Sequence, residues 1–226
     1  MSDSEIIYGE FSKEIKNRFL CTVKINGTDT VCYIPSSCRL SNFIDLTNRK
    51  VILQPIKKKD ARTKYSVYAV KYRRVYVPLN LSNANRIIEM SLHRRIFAFL
   101  GARKTVYREK SIDGYKCDLY IADTDTIVEI KCVLSFNKSA SFPTVFSERA
   151  NRQLKNIKSL LENGHKVCYI FVSLYSGTKC ISINEQHTEY AHLFSECIQK
   201  GMTAYAVSIG MNECKPYIRS SIKLEC

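Results

Sequence analysis

Thr126-Ile-Val-Glu-Ile-Lys-Cys-Val-Leu134 is an apolar run broken only at Glu129 and Lys131. Side chains on a strand alternate between faces, so Glu129 and Lys131 share one face while Val128, Ile130 and Cys132 fill the other. Asp118, eleven residues before Glu129, sits in a second apolar run, Tyr115-Lys-Cys-Asp-Leu-Tyr-Ile-Ala122, and Asp123-Thr-Asp125 between the runs has turn composition. If the runs pair as an antiparallel hairpin, the register in which opposed residue numbers sum to 247 sets Asp118 across from Glu129. Directly opposed residues have Cβ atoms roughly 4.5–5.5 Å apart, close enough for two carboxylates to share one divalent cation. Spacing alone discriminates little, because Glu-x-Lys recurs at Glu14-Ile-Lys16 and Glu213-Cys-Lys215. Only the middle copy lies in a long apolar run that follows another run carrying an aspartate. The plainer reading of the same residues is a half-exposed hairpin with a cross-strand salt bridge.

Around this hairpin the pattern alternates strand and helix. A strand near 104–109 precedes it, and Asn137 to Phe146 reads as a loop. Ser147 is placed to cap a helix whose stripe is Ala150, Leu154, Ile157 and Leu161, and Asn163-Gly164 stops it. Lys166-Val-Cys-Tyr-Ile-Phe-Val-Ser173 reads as a buried strand, followed by a helix near 187–200 and strands near 202–209 and 216–224. Three strands, helix, strand, helix, strand predict a mixed α/β layer. Upstream, Ser82-Asn-Ala-Asn85 opens one helix that Gly101 closes. This helix leads from a first domain, residues 1–82, into a second, residues 83–226.

The first domain reads as short strands. Arg18–Ile25 and Thr30–Ile34 flank the turn Asn26-Gly27, and Lys50–Pro55, Tyr65–Val70 and Arg74–Val77 follow. Five strands in so short a span predict a small closed barrel of the oligonucleotide-binding kind. The chain carries a net charge of +14, and residues 10–110 hold 22 of its 35 bases but only 7 of its 21 acids. Such asymmetry points to a half that meets a polyanion and a half with another task, although a basic field can also serve solubility alone. Lys57, Lys58, Lys59, Arg62, Lys64, Arg73 and Arg74, with Arg18 and Arg39, are the candidate phosphate-binding bases. Tyr65, Tyr68, Tyr72 and Tyr76 interleave with them, as stacking residues do in single-strand grooves, and as tyrosines do in ordinary strands.

Other classes are excluded or disfavoured. No run of about 18 apolar residues offers a membrane span, and the start, Met1-Ser-Asp-Ser-Glu-Ile-Ile, lacks an export signal, so a cytoplasmic location is expected. The ten cysteines form no Cys-x-x-Cys pair and sit singly in apolar runs, which favours buried thiols over disulfides or zinc.

The order of elements, with an aspartate on one strand and Glu-x-Lys on the next, resembles the PD-(D/E)xK (restriction-endonuclease-like) nuclease core. The stretches Arg18-Phe-Leu-Cys-Thr-Val, Tyr33-Ile-Pro-Ser-Ser-Cys-Arg-Leu40, Arg62-Thr-x-Tyr65, Asn80, Asn85-Arg86, Cys117-Asp-Leu-Tyr120, Val128-Glu-Ile-Lys131, Phe142-Pro143 and Ser147-Glu-Arg149 narrow this. Together they resemble the bacterial and archaeal sugar fermentation stimulation protein family over about residues 10–210. The resemblance implies an N-terminal oligonucleotide-binding (OB-like) barrel and a C-terminal nuclease-like domain acting on DNA or RNA with a divalent metal. Three places depart from the family pattern: Ser36-Ser-Cys-Arg39 lacks its glycine, Thr144 replaces an aspartate, and Gln153 stands where histidine is usual.

The residue chemistry supports the same centre. Asp118 and Glu129, with the Ile130 carbonyl, would hold Mg²⁺ or Mn²⁺, since these ions take oxygen ligands and keep several waters. Lys131 would orient the attacking water and screen the charge developing on phosphorus. Glu109 is either a third carboxylate or a surface partner of Arg108 or Lys110. Arg149 and Gln153, four apart on one helix face, either reach the scissile phosphate or form a solvated flank. The expectation is a metal-dependent nuclease of DNA and/or RNA that needs neither zinc nor a membrane and leaves room for a homodimer. The alternative is a DNA-binding regulator whose nuclease fold is inactive or narrowly specific.

Overall fold

Apolar runs of opposite periodicity sort the chain into two packed parts in a computed structural model, which describes residues 6–15, 17, 19–35, 39–42, 44–80, 83–212 and 214–225. The N-terminal strands are β1 (Ile7–Glu14), β2 (Leu20–Ile25), β3 (Thr28–Tyr33), β4 (Lys50–Pro55), β5 (Tyr65–Tyr72) and β6 (Val75–Pro78). β1 pairs with both β2 and β4, β4 with β5, and β3 returns to β5 in parallel through Tyr33 and Ser66. The closed ring is therefore β1-β2-β3-β5-β4, the five-stranded barrel expected, with one member exchanged. Val75–Pro78 only extends β5 as a hairpin outside the ring. The missing member is Ile7–Glu14, where Phe11 alone is fully buried, so its apolar signal is weak. Gly9 lets β1 cross β2 closely, because a Cβ there would stand 2.5 Å from Val23 Cγ1 and 3.0 Å from the Lys24 carbonyl oxygen.

The linking helix is shorter than expected. α1 spans Asn83–Ser91, and a 3-10 segment covers Arg95–Leu100 with Phe97 out of helical geometry. The carbonyls that would continue the helix are taken by a distant side chain, since Arg103 donates to the Leu92 and Arg94 oxygens. Arg94 in turn donates to the Ile218 oxygen at 2.5 Å.

The second part contains β7 (Val106–Arg108), β8 (Ser111–Ile112), β9 (Tyr115–Lys116), β10 (Leu119–Ile121), β11 (Thr126–Val133), β12 (Ser139–Phe142), α2 (Glu148–Glu162), β13 (Lys166–Ser173), β14 (Cys180–Ile183), α3 (Thr188–Gln199), β15 (Thr203–Asn212), β16 (Lys215–Ser221) and β17 (Lys223–Glu225). The main sheet runs β16-β15-β13-β11-β10-β7, parallel in the middle and antiparallel at both edges. Ser147 caps α2 by accepting from the Ala150 amide, as its position predicts. Two expectations are corrected. The run 115–122 is broken into β9 and β10, and the supposed loop 137–146 contains β12, which joins β14 and β17 in a three-stranded parallel sheet.

β11 is buried on both faces. Ile127 and Val133 pack with Leu154, Ile157 and Phe194 under α2 and α3. Val128 and Ile130 belong to a core that also holds Leu53, Val70 and Leu79 of the barrel and Ile88 of α1. Barrel and sheet thus share one apolar core, sealed by Tyr72 packing edge-on against Phe136 and Tyr175 with centroids 5.0 and 5.2 Å apart.

Candidate active site

The hairpin folds in the predicted register. Leu119 opposes Val128, Tyr120 opposes Ile127 and Ile121 opposes Thr126, so every opposed pair sums to 247. Asp118 is the next residue outward and leaves the ladder. Its Oδ2 accepts from the Ile130 amide at 2.8 Å, closing the strand end with a side chain in place of a backbone carbonyl, and its Oδ1 accepts from Asn85 Nδ2 at 2.8 Å. This ties α1, β10 and β11 together at one carboxylate.

Glu129 lies on the face covered by α2 and α3 and is only 2 % exposed. The half-exposed surface bridge is therefore not what the chain builds. Lys131 Nζ donates to Glu129 Oε1 at 2.6 Å and to Gln153 Oε1 at 2.7 Å, while Gln153 Nε2 donates back to Glu129 Oε1 at 3.1 Å. Tyr115 OH donates to Glu129 Oε2 at 2.6 Å. Burial raises the Glu129 carboxyl above the usual carboxylate range; Lys131 opposes that rise and the Asp118 charge adds to it. Burial, reinforced by Glu129, likewise holds Tyr115 protonated as a donor. The Tyr169 ring lies below Lys131, with Nζ 5.6 Å from its centroid.

The remaining candidates divide. Gln153 joins the network, whereas Arg149, one turn earlier on α2, is exposed. Glu109 hydrogen-bonds the Asp118 carbonyl through its amide, at 3.1 Å, but its carboxylate pairs with Lys116 at 2.5 Å on the outside, not with Arg108 or Lys110. Lys57, Lys58, Lys59, Arg62 and Lys64 are exposed or near-exposed on the β4–β5 loop, and Arg73 and Arg74 form the β5–β6 turn. Arg39 is exposed, and Arg18 lies outside the described residues, as do Ser36, Ser37 and Cys38. Of the interleaved tyrosines, Tyr68 is buried and Tyr72 packs internally. Glu14, in the first Glu-x-Lys copy, caps the Leu40 and Ser41 amides, a structural task; Lys16 and Glu213 of the outer copies lie outside the described residues.

Sequence reasoning missed Tyr115 and Asn85 as partners of the two carboxylates. Asn85 carried a signal as a landmark ahead of Arg86, whereas Tyr115 is marked in the sequence only as the first residue of the apolar run that holds Asp118. All eight described cysteines are free thiols, and most are buried. No helix among the described residues is long and apolar enough to cross a membrane.

Residues 15–79 match the model of the "SfsA N-terminal OB domain", and residues 82–215 that of the "Sugar fermentation stimulation protein RE domain". The chain belongs to the sugar fermentation stimulation protein family. Family members similar to it include the homologue of Natranaerobius thermophilus, 25% identical over 223 residues and covering 93% of this chain and 92% of the relative. The homologue of Caldanaerobacter subterraneus subsp. tengcongensis is 27% identical over 213 residues, covering 92% of each. Among solved family structures, one described as "The structure of Pyrococcus Furiosus SfsA in complex with Ca2+" superposes with a TM-score of 0.84 at 18% identity, covering 100% of this chain and 98% of that one. At that identity the match speaks for the fold, an OB barrel followed by a mixed-sheet core.

Proposed function

We propose that this protein is a metal-dependent nuclease that hydrolyses phosphodiester bonds of DNA and/or RNA. The observation that carries the reading is a buried carboxylate, Glu129, locked to Lys131 on the strand whose Ile130 amide holds Asp118. A structural salt bridge has no need of a second carboxylate, and two carboxylates around one ammonium, with Glu129 buried and Asp118 and Lys131 half-buried, leave a net negative charge that a cation would offset. The donor chemistry fits a hard divalent ion: Asp118 and Glu129 offer carboxylate oxygens and Ile130 a carbonyl. The Pyrococcus furiosus relative is described in complex with Ca²⁺, an ion of the same oxygen-seeking class. Mg²⁺ or Mn²⁺ held there would acidify water and offset charge on the phosphate.

The chain's own residues do the rest. Lys131, fixed between Glu129 and Gln153, presents an ammonium to the reacting phosphate and orients the water that attacks it. Gln153 can donate and accept at once, so it holds both members of the ion pair where the family usually has histidine. Tyr115 and Asn85 keep the outer oxygens of Glu129 and Asp118 turned to fixed directions, the task of partners behind metal-binding carboxylates. The Lys57–Lys64 loop lies between β4 and β5, and the β4–β5 loop is one that OB barrels use to meet oligonucleotides.

The test is a panel of labelled single- and double-stranded DNA and RNA, incubated with Mg²⁺, Mn²⁺ or EDTA. Cleavage with either metal, absent with EDTA and abolished in Glu129→Ala, is the expected result. Unchanged cleavage in Glu129→Ala sinks the assigned site. Binding to substrates that are never cut points to the regulatory alternative.

A further inference from the structure

A second basic site lies where the barrel meets the sheet, in a pocket of about 350 Å³ past the carboxyl ends of β11 and β13. Arg73 and Arg74 reach it from the barrel's β5–β6 turn, Lys179 from the loop after β13, and Arg219 from β16. All four are exposed, and among the described residues no carboxylate lines the pocket and none of the four is ion-paired. Elsewhere the chain does pair exposed bases, as Lys155 with Glu189 and Lys200 with Glu162. Four unpaired like charges around one hollow repel one another, so an arrangement that keeps them together is suited to an anion.

The floor is built as well. Ser176 is 8 % exposed, lines the pocket, and its hydroxyl has no hydrogen-bond partner among the described residues. Gly177 is required by the shape, since a Cβ there would lie 2.3 Å from the ring of Tyr175, which folds beneath it. That ring packs on Tyr72, whose other neighbours include Arg73 over its face at 5.4 Å. The two halves of the pocket are thus held by one aromatic cluster.

We infer that Arg73, Arg74, Lys179 and Arg219 form one phosphate-binding pocket that grips the backbone of the nucleic-acid strand whose scissile bond lies at Asp118, Glu129 and Lys131. This rests on the nuclease reading above and adds to it the path of the substrate. Lys131 opposes Phe171 on β13, and that strand ends at Ser173, just before the pocket's Tyr175, so the pocket lies beyond the carboxyl end of the strand that neighbours Lys131. Crevices outside the carboxyl ends of parallel strands are where α/β sheets receive ligands. A strand gripped there is held at a second point, which fixes the direction in which it crosses the active residues.

The experiment measures binding of a labelled single-stranded oligonucleotide to the full chain in EDTA, across a salt series. In Lys179→Ala/Arg219→Ala, affinity near 0.15 M salt should fall about ten-fold, and the slope of log affinity against log salt should become shallower by about one. Lys166→Ala/Lys200→Ala removes the same charge from other surfaces, Lys166 beginning β13 at its far end, and should retain slope and affinity within about two-fold. Arg73→Ala/Arg74→Ala should resemble the first pair, and combining the two should cost less than the product of the separate losses, because they hold the same phosphate. Losses that multiply, or a Lys179/Arg219 pair that behaves like the control, overturn the pocket while leaving the nuclease reading intact. Calorimetric binding of inorganic phosphate that the Lys179/Arg219 pair abolishes, with oligonucleotide affinity unchanged, makes this a small-anion site and also overturns it. Failure of the unaltered chain to bind any oligonucleotide at low salt removes the nuclease reading and the pocket's ligand together.

Discussion

Replacing Lys131 with methionine keeps the stem and removes the charge, and the structure sets how much that should cost. The Lys131 side chain is 13% exposed and that of Glu129 3%, so solvent cannot replace the lost cation. Glu129 would keep Tyr115 and Gln153 as donors and lose its ionic partner Lys131. Breaking a buried pair from one side costs about 3–5 kcal/mol. The lower end is expected, because Glu129 can take up a proton instead of staying charged. For a chain of this size about 3 kcal/mol corresponds to a fall of roughly 6–12 °C in the unfolding midpoint. The pH dependence has a definite sign. Burial already raises the Glu129 carboxyl, and removing Lys131 takes away the main influence opposing that rise. A carboxyl that binds its proton more tightly when folded contributes most at acid pH, and that contribution is lost as pH rises through the folded value. The deficit of Lys131→Met relative to the unaltered chain should therefore be smallest near pH 4.5 and widen with rising pH, by at most about 1.4 kcal/mol per unit. Urea unfolding in EDTA from pH 4.5 to 8 measures it, with Glu129→Gln/Lys131→Met expected to recover most of the loss at pH 8. A deficit that does not change with pH, or a double variant worse than the single, would refute a buried and coupled pair.

Tyr115→Phe removes one of three donors to the buried Glu129 carboxylate; it should cost about 1–3 kcal/mol in urea unfolding and lower metal-dependent cleavage by roughly 10–100-fold. Asn85→Ala should weaken Mn²⁺ binding by a similar factor, read by calorimetry, because Asp118 Oδ1 then loses the partner that holds it. Gly9→Ala should destabilise by about 1–3 kcal/mol with the active residues untouched, since its Cβ would meet Val23 and the Lys24 carbonyl where β1 crosses β2; an unchanged midpoint would mean the barrel tolerates a wider crossing. Ser147→Ala should lower the midpoint by an amount equivalent to about 1 kcal/mol through loss of the α2 cap.

The hairpin that carries Asp118 and Glu129 was legible because its evidence is local. A two-residue period and a short acidic turn leave one register that keeps the apolar residues on one face, and Leu119 opposite Val128 is that register. Ser147 and Asn163-Gly164 were legible for the same reason, as helix ends are written in adjacent residues. What escaped was made by contacts far apart in sequence. β12 meets β14 across about forty residues, and β14 meets β17 across a similar distance, so neither short segment announces a partner. The helix after the barrel ends early because Arg103 claims carbonyls of Leu92 and Arg94, which no periodicity records. Tyr115 and Asn85 escaped because only folding brings them to Glu129 and Asp118.

Burial of both faces of β11 changes what its alternation means. The apolar face that looked like the inside of a simple hairpin is the seam with the barrel: Val128 and Ile130 share a core with Leu53, Val70 and Leu79. The Ile130 amide is also the donor that holds Asp118, so one residue links the barrel seam to the candidate site. Two consequences follow for how the basic half acts on the other. Cutting the chain near residue 82 would strip that core as well as the charge, so a shortened protein tests folding before it tests binding. Substitution of Lys57, Lys58 and Lys59 in the full chain, all exposed on the β4–β5 loop, removes charge without touching the core. If the barrel feeds substrate to the sheet, that variant should lose affinity uniformly across sequences with a shallower salt slope, while the rate of cutting at saturating substrate stays near its original value, because the carboxylates and Lys131 are where they were.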